Sequence, residues 1–168
     1  AGDAARTRAA TFAHEAGLRA IGVACLAFGG VMTAVGSVIF VETLGYFRYS
    51  PGSLVFSAFM TLSGLLGFAA AWGFLRLEPW VRWLALPLAA AAVLATFGLA
   101  TPAVLHAAWL TWSKTGRALL SPGFAAVVAK SPGWPRWWQQ GHVLAMVAMV
   151  AAYAAWFYGV MQGGSMED

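Results

Sequence analysis

The sequence predicts an all-α membrane protein in which four antiparallel transmembrane helices, with a short interfacial helix in the outer loop, form one domain over residues 1–168. Of the 168 residues, 61% are hydrophobic and 10% are charged, whereas soluble domains carry about a quarter charged residues. A chain this short has too little interior to bury so much apolar surface. A lipid bilayer is therefore the expected surrounding.

Charge-free stretches long enough to cross a bilayer are the third observation behind this prediction, since a spanning helix needs about 20 mostly apolar residues. The predicted spans cover about 20–41, 53–75, 83–106 and 139–162, and the outer loop covers about 107–138. The third charge-free stretch extends to residue 113, and we expect it to bend or leave the hydrocarbon in its last third because of Thr101, Pro102, His106 and Thr111. Pro87 lies in the first turns of this predicted helix, where the missing N–H of a proline costs the helix least.

The first span is interpreted as a retained helix, with a secretory signal as the alternative. Its apolar run is longer than the 7–15 residues of a signal's apolar region. The run ends at Val41-Glu42-Thr43, which lacks the small residues of a cleavage site.

Basic residues are divided evenly between the two sides if both termini are cytoplasmic. The inner set is Arg6, Arg8, Arg19, Arg76 and Arg82, and the outer set is Arg48, Lys114, Arg117, Lys130 and Arg136. Because short loops and the first helix weigh most in the positive-inside rule, we expect both termini inside. These charges form no basic stripe, so the bilayer is the expected partner and nucleic acid is not.

Aromatic residues mark both expected interfaces, because Trp rings favour the headgroup level. Trp80 and Trp83 mark the inner interface, and the outer one is marked by Trp109, Trp112, Trp134, Trp137 and Trp138. In the outer loop, Ser121-Pro122 resembles a capped helix start. Phe124–Lys130 is therefore either a short interfacial helix or a simple connector.

Small residues recur along the spans at spacings that allow helices to approach closely. The predicted packing positions are Gly22, Gly29 and Gly36 on the first span, Gly64 and Ala71 on the second, and Ala145, Ala148, Ala152, Ala155 and Gly159 on the fourth. These seams require partner helices, either in the same chain or in another subunit.

No Asp, Glu, Lys or Arg lies within the four predicted spans. Ion-coupled transporters place such groups at membrane depth, and no nucleophile motif or metal-ligand spacing occurs in the sequence. We therefore expect no enzyme activity and no metal or other cofactor. His14 is expected to be solvated. The alternative is that His106 or His142 binds haem or a (bacterio)chlorophyll.

One segment resembles a known group of proteins. The stretch Leu75-Arg76-Leu77-Glu78-Pro79-Trp80-Val81-Arg82-Trp83-Leu84-Ala85 is similar to the hairpin of small bacterial four-helix inner-membrane proteins of unassigned function. The resemblance implies the same fold, a bacterial cytoplasmic membrane location, and no particular activity.

The sequence supports three functional hypotheses. The first is a non-catalytic accessory or scaffold subunit of a larger membrane complex, joined to other membrane subunits or to copies of itself through the small-residue seams. The second is a haem- or pigment-binding subunit that uses His106 or His142. The third is a small carrier of apolar solutes or lipids.

Overall fold

The structure, a computed structural model, describes residues 2–45, 51–95, 98, 101–130 and the single positions 144, 145, 148 and 152. The helices are α1 (Gly2–Leu44), α2 (Pro51–Arg76), α3 (Val81–Ala95), α4 (Thr101–Trp112), α5 (Lys114–Leu119) and α6 (Pro122–Lys130). The described residues contain no strand, which confirms the all-α prediction for that part of the chain. Two helices, α1 and α2, are long and apolar enough to cross a membrane.

The antiparallel pair of α1 and α2 is built on close backbone contact. A Cβ on Gly22 would lie 3.1 Å from the Ala71 carbonyl oxygen, and one on Gly29 would lie 2.8 Å from that of Gly64. As residue numbers rise along α1, the residues that they contact on α2 fall in number, so the two helices are antiparallel. The missing side chains let the two backbones approach, which is how helices associate in lipid.

The turn between α2 and α3 closes with the hydrogen bonds of a Schellman motif. The Glu78 N–H donates to the Gly73 carbonyl at 2.8 Å, and the Leu77 N–H donates to that of Phe74 at 3.2 Å. Leu77 has φ of 58°, a left-handed conformation that costs a non-glycine residue roughly 1–2 kcal/mol. Its side chain is 3% exposed, so burial of the leucine offsets that cost.

The third predicted span is where the structure differs from the sequence prediction. It consists of two helices, α3 and α4, with a turn at Gly98 between them. Gly98 has φ of +86°, and its carbonyl accepts a 2.6 Å hydrogen bond from the Thr101 hydroxyl. The 15 residues of α3 and 12 residues of α4 extend about 22 and 18 Å at 1.5 Å per residue. Both lengths fall short of a hydrocarbon core of about 30 Å.

Helix α4 runs back toward the end of the bundle where α3 began. Its buried Leu110 packs on Gly17, where an added Cβ would lie 2.9 Å from Leu110 Cδ1. Two residues further along α1, Arg19 contacts the Leu75 carbonyl at the end of α2. The last turn of α4 and the last turn of α2 therefore lie at the same level of α1.

Helices α5 and α6 lie at this same end. Pro122 and Ala125 of α6 face the turn residues Arg76–Pro79 across a cleft of about 310 Å³. The core at this end contains Leu18, Ile21, Phe74, Leu77, Val81, Leu110, Leu119, Leu120 and Phe124. We call this region the capped end; it consists of residues 4–22, residues 72–83 around the turn, the last turn of α4, α5 and α6. The opposite end of the α1–α2 pair holds Glu42.

The segment predicted to be the outer loop is placed differently from expectation. The predicted helix Phe124–Lys130 corresponds to α6, where the Phe124 N–H donates to Ser121 Oγ at 3.4 Å. However, α6 lies beside the 77–80 turn, which was predicted to lie at the opposite face of the bilayer. The predicted span at 139–162 lies outside the described residues except for positions 144, 145, 148 and 152.

Candidate functional site

Three charged side chains form a buried ion cluster at the capped end. Glu15 accepts hydrogen bonds from Arg8 Nε at 3.1 Å and Arg8 Nη2 at 3.0 Å. It also accepts from Arg19 Nε at 3.1 Å and Arg19 Nη2 at 2.9 Å. The three residues are only 6%, 1% and 4% exposed for Arg8, Glu15 and Arg19. Spacings of seven and four residues place all three on one face of α1.

The second role of Arg19 is to contact α2. Its Nη1 donates a 2.6 Å hydrogen bond to the Leu75 carbonyl oxygen, in the last turn of α2. The C-terminal end of a helix carries partial negative charge, so a cation there is stabilising. Burial lowers the pKa of Arg19, while the neighbouring Glu15 carboxylate acts in the opposite direction. The guanidinium remains charged because the pKa of arginine starts so high.

His14 forms a separate polar contact from α1 to α4 and α5. Its Nε2 lies 2.9 Å from the Leu110 carbonyl oxygen and 3.0 Å from Ser113 Oγ. Ser113 Oγ also accepts a 3.0 Å hydrogen bond from the Gly116 N–H and so caps α5. The expectation that His14 is solvated is therefore wrong: it is half-buried and joins three helices.

His106, the first of the two candidate cofactor ligands, lies on α4. Its half-buried ring stacks on Trp109 with 5.9 Å between ring centroids. The same Trp109 ring meets His14 at 5.4 Å. His142, the second candidate ligand, lies outside the described residues. Within the described parts of the chain, His106 is thus associated with Trp109.

Two arginines near the turn cover exposed tryptophan rings. The Arg76 guanidinium lies 3.8 Å from the Trp72 ring centroid, and that of Arg82 lies 5.2 Å from Trp83. Trp72 and Trp83 are 57% and 66% exposed. Such pairs are attractive because the ring face is electronegative. They combine a positive charge with a large apolar surface at one level of the bundle.

The other tryptophans predicted to mark the membrane interfaces differ in their exposure and location. Trp80 and Trp109 are exposed and Trp112 is half-buried. The α4 residues lie at the capped end with Trp80, although they were predicted to mark the other interface. Trp134, Trp137 and Trp138 lie outside the described residues.

The predicted packing seams of the first two spans meet each other. Gly22, Gly29 and Gly36 approach Ala71, Gly64 and Thr61 in turn. An added Cβ on Gly36 would lie 2.7 Å from the Thr61 nitrogen, so the seam is closed within the chain. On the fourth predicted span, Ala145, Ala148 and Ala152 are helical and exposed, and Ala155 and Gly159 lie outside the described residues.

Glu15 has a structural role, because it holds the Arg8 and Arg19 side chains in position. The Glu15 carboxylate already accepts four hydrogen bonds, so it holds two arginines in fixed orientations. Among residues 2–45, 51–95, 98, 101–130 and the four single positions, no three His, Cys, Asp or Glu side chains group as metal ligands would. Among the described residues, the exposed charged side chains of the capped end are cationic, namely Arg6, Arg76, Lys114, Arg117 and Lys130.

The ion cluster was not predicted from the sequence. A charge marks a functional group in a membrane protein most clearly when it lies inside a span, whereas Arg8, Glu15 and Arg19 precede the first predicted span. A usable signal was present in the spacing of these residues, which aligns one acid between two bases along one helix face. The spacing does not reveal that α4, α5 and α6 cover this part of α1.

Comparisons with known proteins found no match: no protein family fits this sequence, and no curated protein or solved structure is significantly similar to it. The resemblance of the 75–85 segment to small bacterial four-helix proteins therefore stays a prediction. Any functional proposal has to be supported by the sequence and geometry of the chain itself.

Proposed function

We propose that this protein is a non-catalytic accessory or scaffold subunit of a larger membrane assembly, located in a bacterial cytoplasmic membrane. The observation that carries the proposal is the difference between the two faces of α2. Its small residues face α1. Its outward face presents large apolar side chains at helical spacing, namely Val55, Phe59, Leu62 and Leu66.

The outward face is suited to contact with lipid or with other apolar helices. Phe59 is 43% exposed and Leu62 is 61% exposed, and packing with neighbouring subunits would bury them further. Because the seam between α1 and α2 is already filled, a partner would meet this outward face or the alanine positions of the fourth predicted span. Gly22, Gly29 and Gly36 are therefore not proposed as contacts with another subunit.

The topology we propose also differs from four full spans. Helices α1 and α2 cross the bilayer, while α3 and α4 enter from the capped end and return to it. The sequence stretch 139–162, of which the structure describes four positions, is predicted from its apolar sequence to be a further span. With the capped end in the cytoplasm, the N-terminus is inside, and three crossings put the C-terminus outside, in contrast to the sequence-based expectation of both termini inside.

Native mass spectrometry of the full chain, extracted from its own membrane in mild detergent, tests the function. A scaffold subunit is expected with other membrane subunits at a fixed stoichiometry, and Phe59→Ala with Leu66→Ala should reduce that complex. Val38→Ala, at an exposed position of α1, is the matched control. Recovery of the wild-type chain only as a monomer would oppose the proposal.

The same preparation separates the other two hypotheses. A visible absorption band that is lost in His106→Ala would instead favour a haem- or pigment-binding subunit. A bound apolar solute in the mass spectrum, with no other subunit, would favour a carrier.

A further inference from the structure

Cationic side chains gather at one end of the described structure. Arg6 is exposed on α1, Arg76 and Arg82 flank the turn, and α5 and α6 carry Lys114, Arg117 and Lys130. The four-span prediction divided these residues between two faces of the bilayer. The return of α4 to the capped end brings them together.

Among the residues whose side chains the structure describes, negative charge does not balance this end. Glu15 is enclosed between Arg8 and Arg19, and Glu78 is half-buried in the turn. At the opposite end of the α1–α2 pair, the charged side chain among the described residues is the exposed Glu42. The described structure is therefore electrically polar along the direction in which α1 and α2 would cross a bilayer.

The contacts of Arg76 with Trp72 and of Arg82 with Trp83 indicate the depth at which these two charges would lie in a bilayer. Trp72 lies one turn before the end of α2, and Trp83 lies in the first turn of α3. Exposed tryptophans favour the headgroup level, where one edge of the ring meets hydrocarbon and the other meets water. An arginine held over such a ring is presented at the height of the lipid phosphates.

We propose that the capped end is a docking surface for anionic phospholipid headgroups of the adjacent leaflet, with Arg76 over Trp72 and Arg82 over Trp83 as its phosphate contacts. A planar guanidinium stacked on a ring keeps its N–H edge available for a phosphate. The flanking Lys114, Arg117 and Lys130 add long-range attraction to the same leaflet.

The test uses the full chain in nanodiscs made of equal parts phosphatidylglycerol and phosphatidylcholine, with retained lipids counted by native mass spectrometry. A basic residue near an anionic surface contributes about a fivefold preference. We expect the wild type to retain phosphatidylglycerol over phosphatidylcholine at least that strongly. Equal retention of the two lipids would overturn the proposal.

Two double variants locate the contacts. Arg76→Gln with Arg82→Gln should bring the lipid preference close to one. Arg6→Gln with Lys130→Gln removes the same charge away from the stacked pairs, and should keep most of the preference. If the two double variants lose equal preference, the assignment to Arg76 and Arg82 is overturned.

A measurement on the wild type makes the test independent of variant folding. Phosphate contacts are screened by salt, since the Debye length falls to about 3 Å at 1 M ionic strength. We expect the preference for phosphatidylglycerol to shrink several-fold when salt is raised toward that concentration. A preference that salt leaves unchanged would contradict a headgroup contact.

Discussion

Arg19 on α1 donates a 2.6 Å hydrogen bond from Nη1 to the carbonyl oxygen of Leu75 on α2. This contact joins two helices across 56 residues of sequence. Glu15 orients the same guanidinium from its other side, so one acid supports both a salt bridge and a helix-to-helix contact. The ion cluster therefore connects α1 to the end of α2 at the capped end.

Replacing Glu15 in the ion cluster should lower the stability of the protein. In Glu15→Gln, the buried Arg8 and Arg19 would lose the carboxylate that they share, and breaking a buried pair in this way costs about 3–5 kcal/mol. We expect a lower midpoint in unfolding of the detergent-solubilised protein, followed by circular dichroism. Glu42→Gln, at an exposed position, is the control and should leave the midpoint within error. Equal midpoints for the two variants would refute a structural role for the cluster.

Adjacent glycines on α1 provide a test of the seam. A Cβ on Gly29 would lie 2.8 Å from the Gly64 carbonyl oxygen, a backbone atom that cannot move aside cheaply, whereas one on Gly30 meets nothing within 4 Å. Gly29→Ala should destabilise the protein by about 1–3 kcal/mol through overpacking. Gly30→Ala should be neutral or stabilising by up to about 1 kcal/mol, since alanine favours the helix. The same unfolding assay decides, and the reverse order would contradict the seam.

The fourth predicted span provides a test of subunit contact. Ala152 is helical and exposed, and a leucine there would prevent close approach of a partner helix. Ala152→Leu should release the chain from its neighbours in mild detergent. Ala27→Leu, at an exposed position of α1, should leave the complex intact. Full recovery of the complex with Ala152→Leu would argue against this seam as an interface.

The parts of the fold that could be predicted from sequence are those that depend on local pattern. The span at 53–75 lies within α2, and the span at 20–41 lies within α1, because long apolar runs specify helices in a low-dielectric surrounding. The heptad spacing of Gly22, Gly29 and Gly36 also identified the face of α1 that approaches α2.

The path of α3 and α4 was harder to predict because the hydropathy of a segment does not depend on whether the chain reverses its direction within it. A window over 83–106 is apolar whether the helix continues or turns back. Thr101 and Pro102 predict a bend, and the chain turns just before them, at Gly98; this pattern is typical of one helix ending and another beginning. The capped end itself depends on long-range contacts such as Leu110 on Gly17, which no local pattern contains.

The return of α4 to the capped end places α5 beside the N-terminal part of α1, and the proposed topology and lipid contacts both depend on this placement. Single cysteines placed by Arg6→Cys, Lys114→Cys or Glu42→Cys, each in a Cys25→Ala background, can be labelled on intact cells with a membrane-impermeant maleimide. We expect labelling at position 42, and at positions 6 and 114 only after the membrane is opened. Labelling of position 114 together with position 42 on intact cells would contradict this placement.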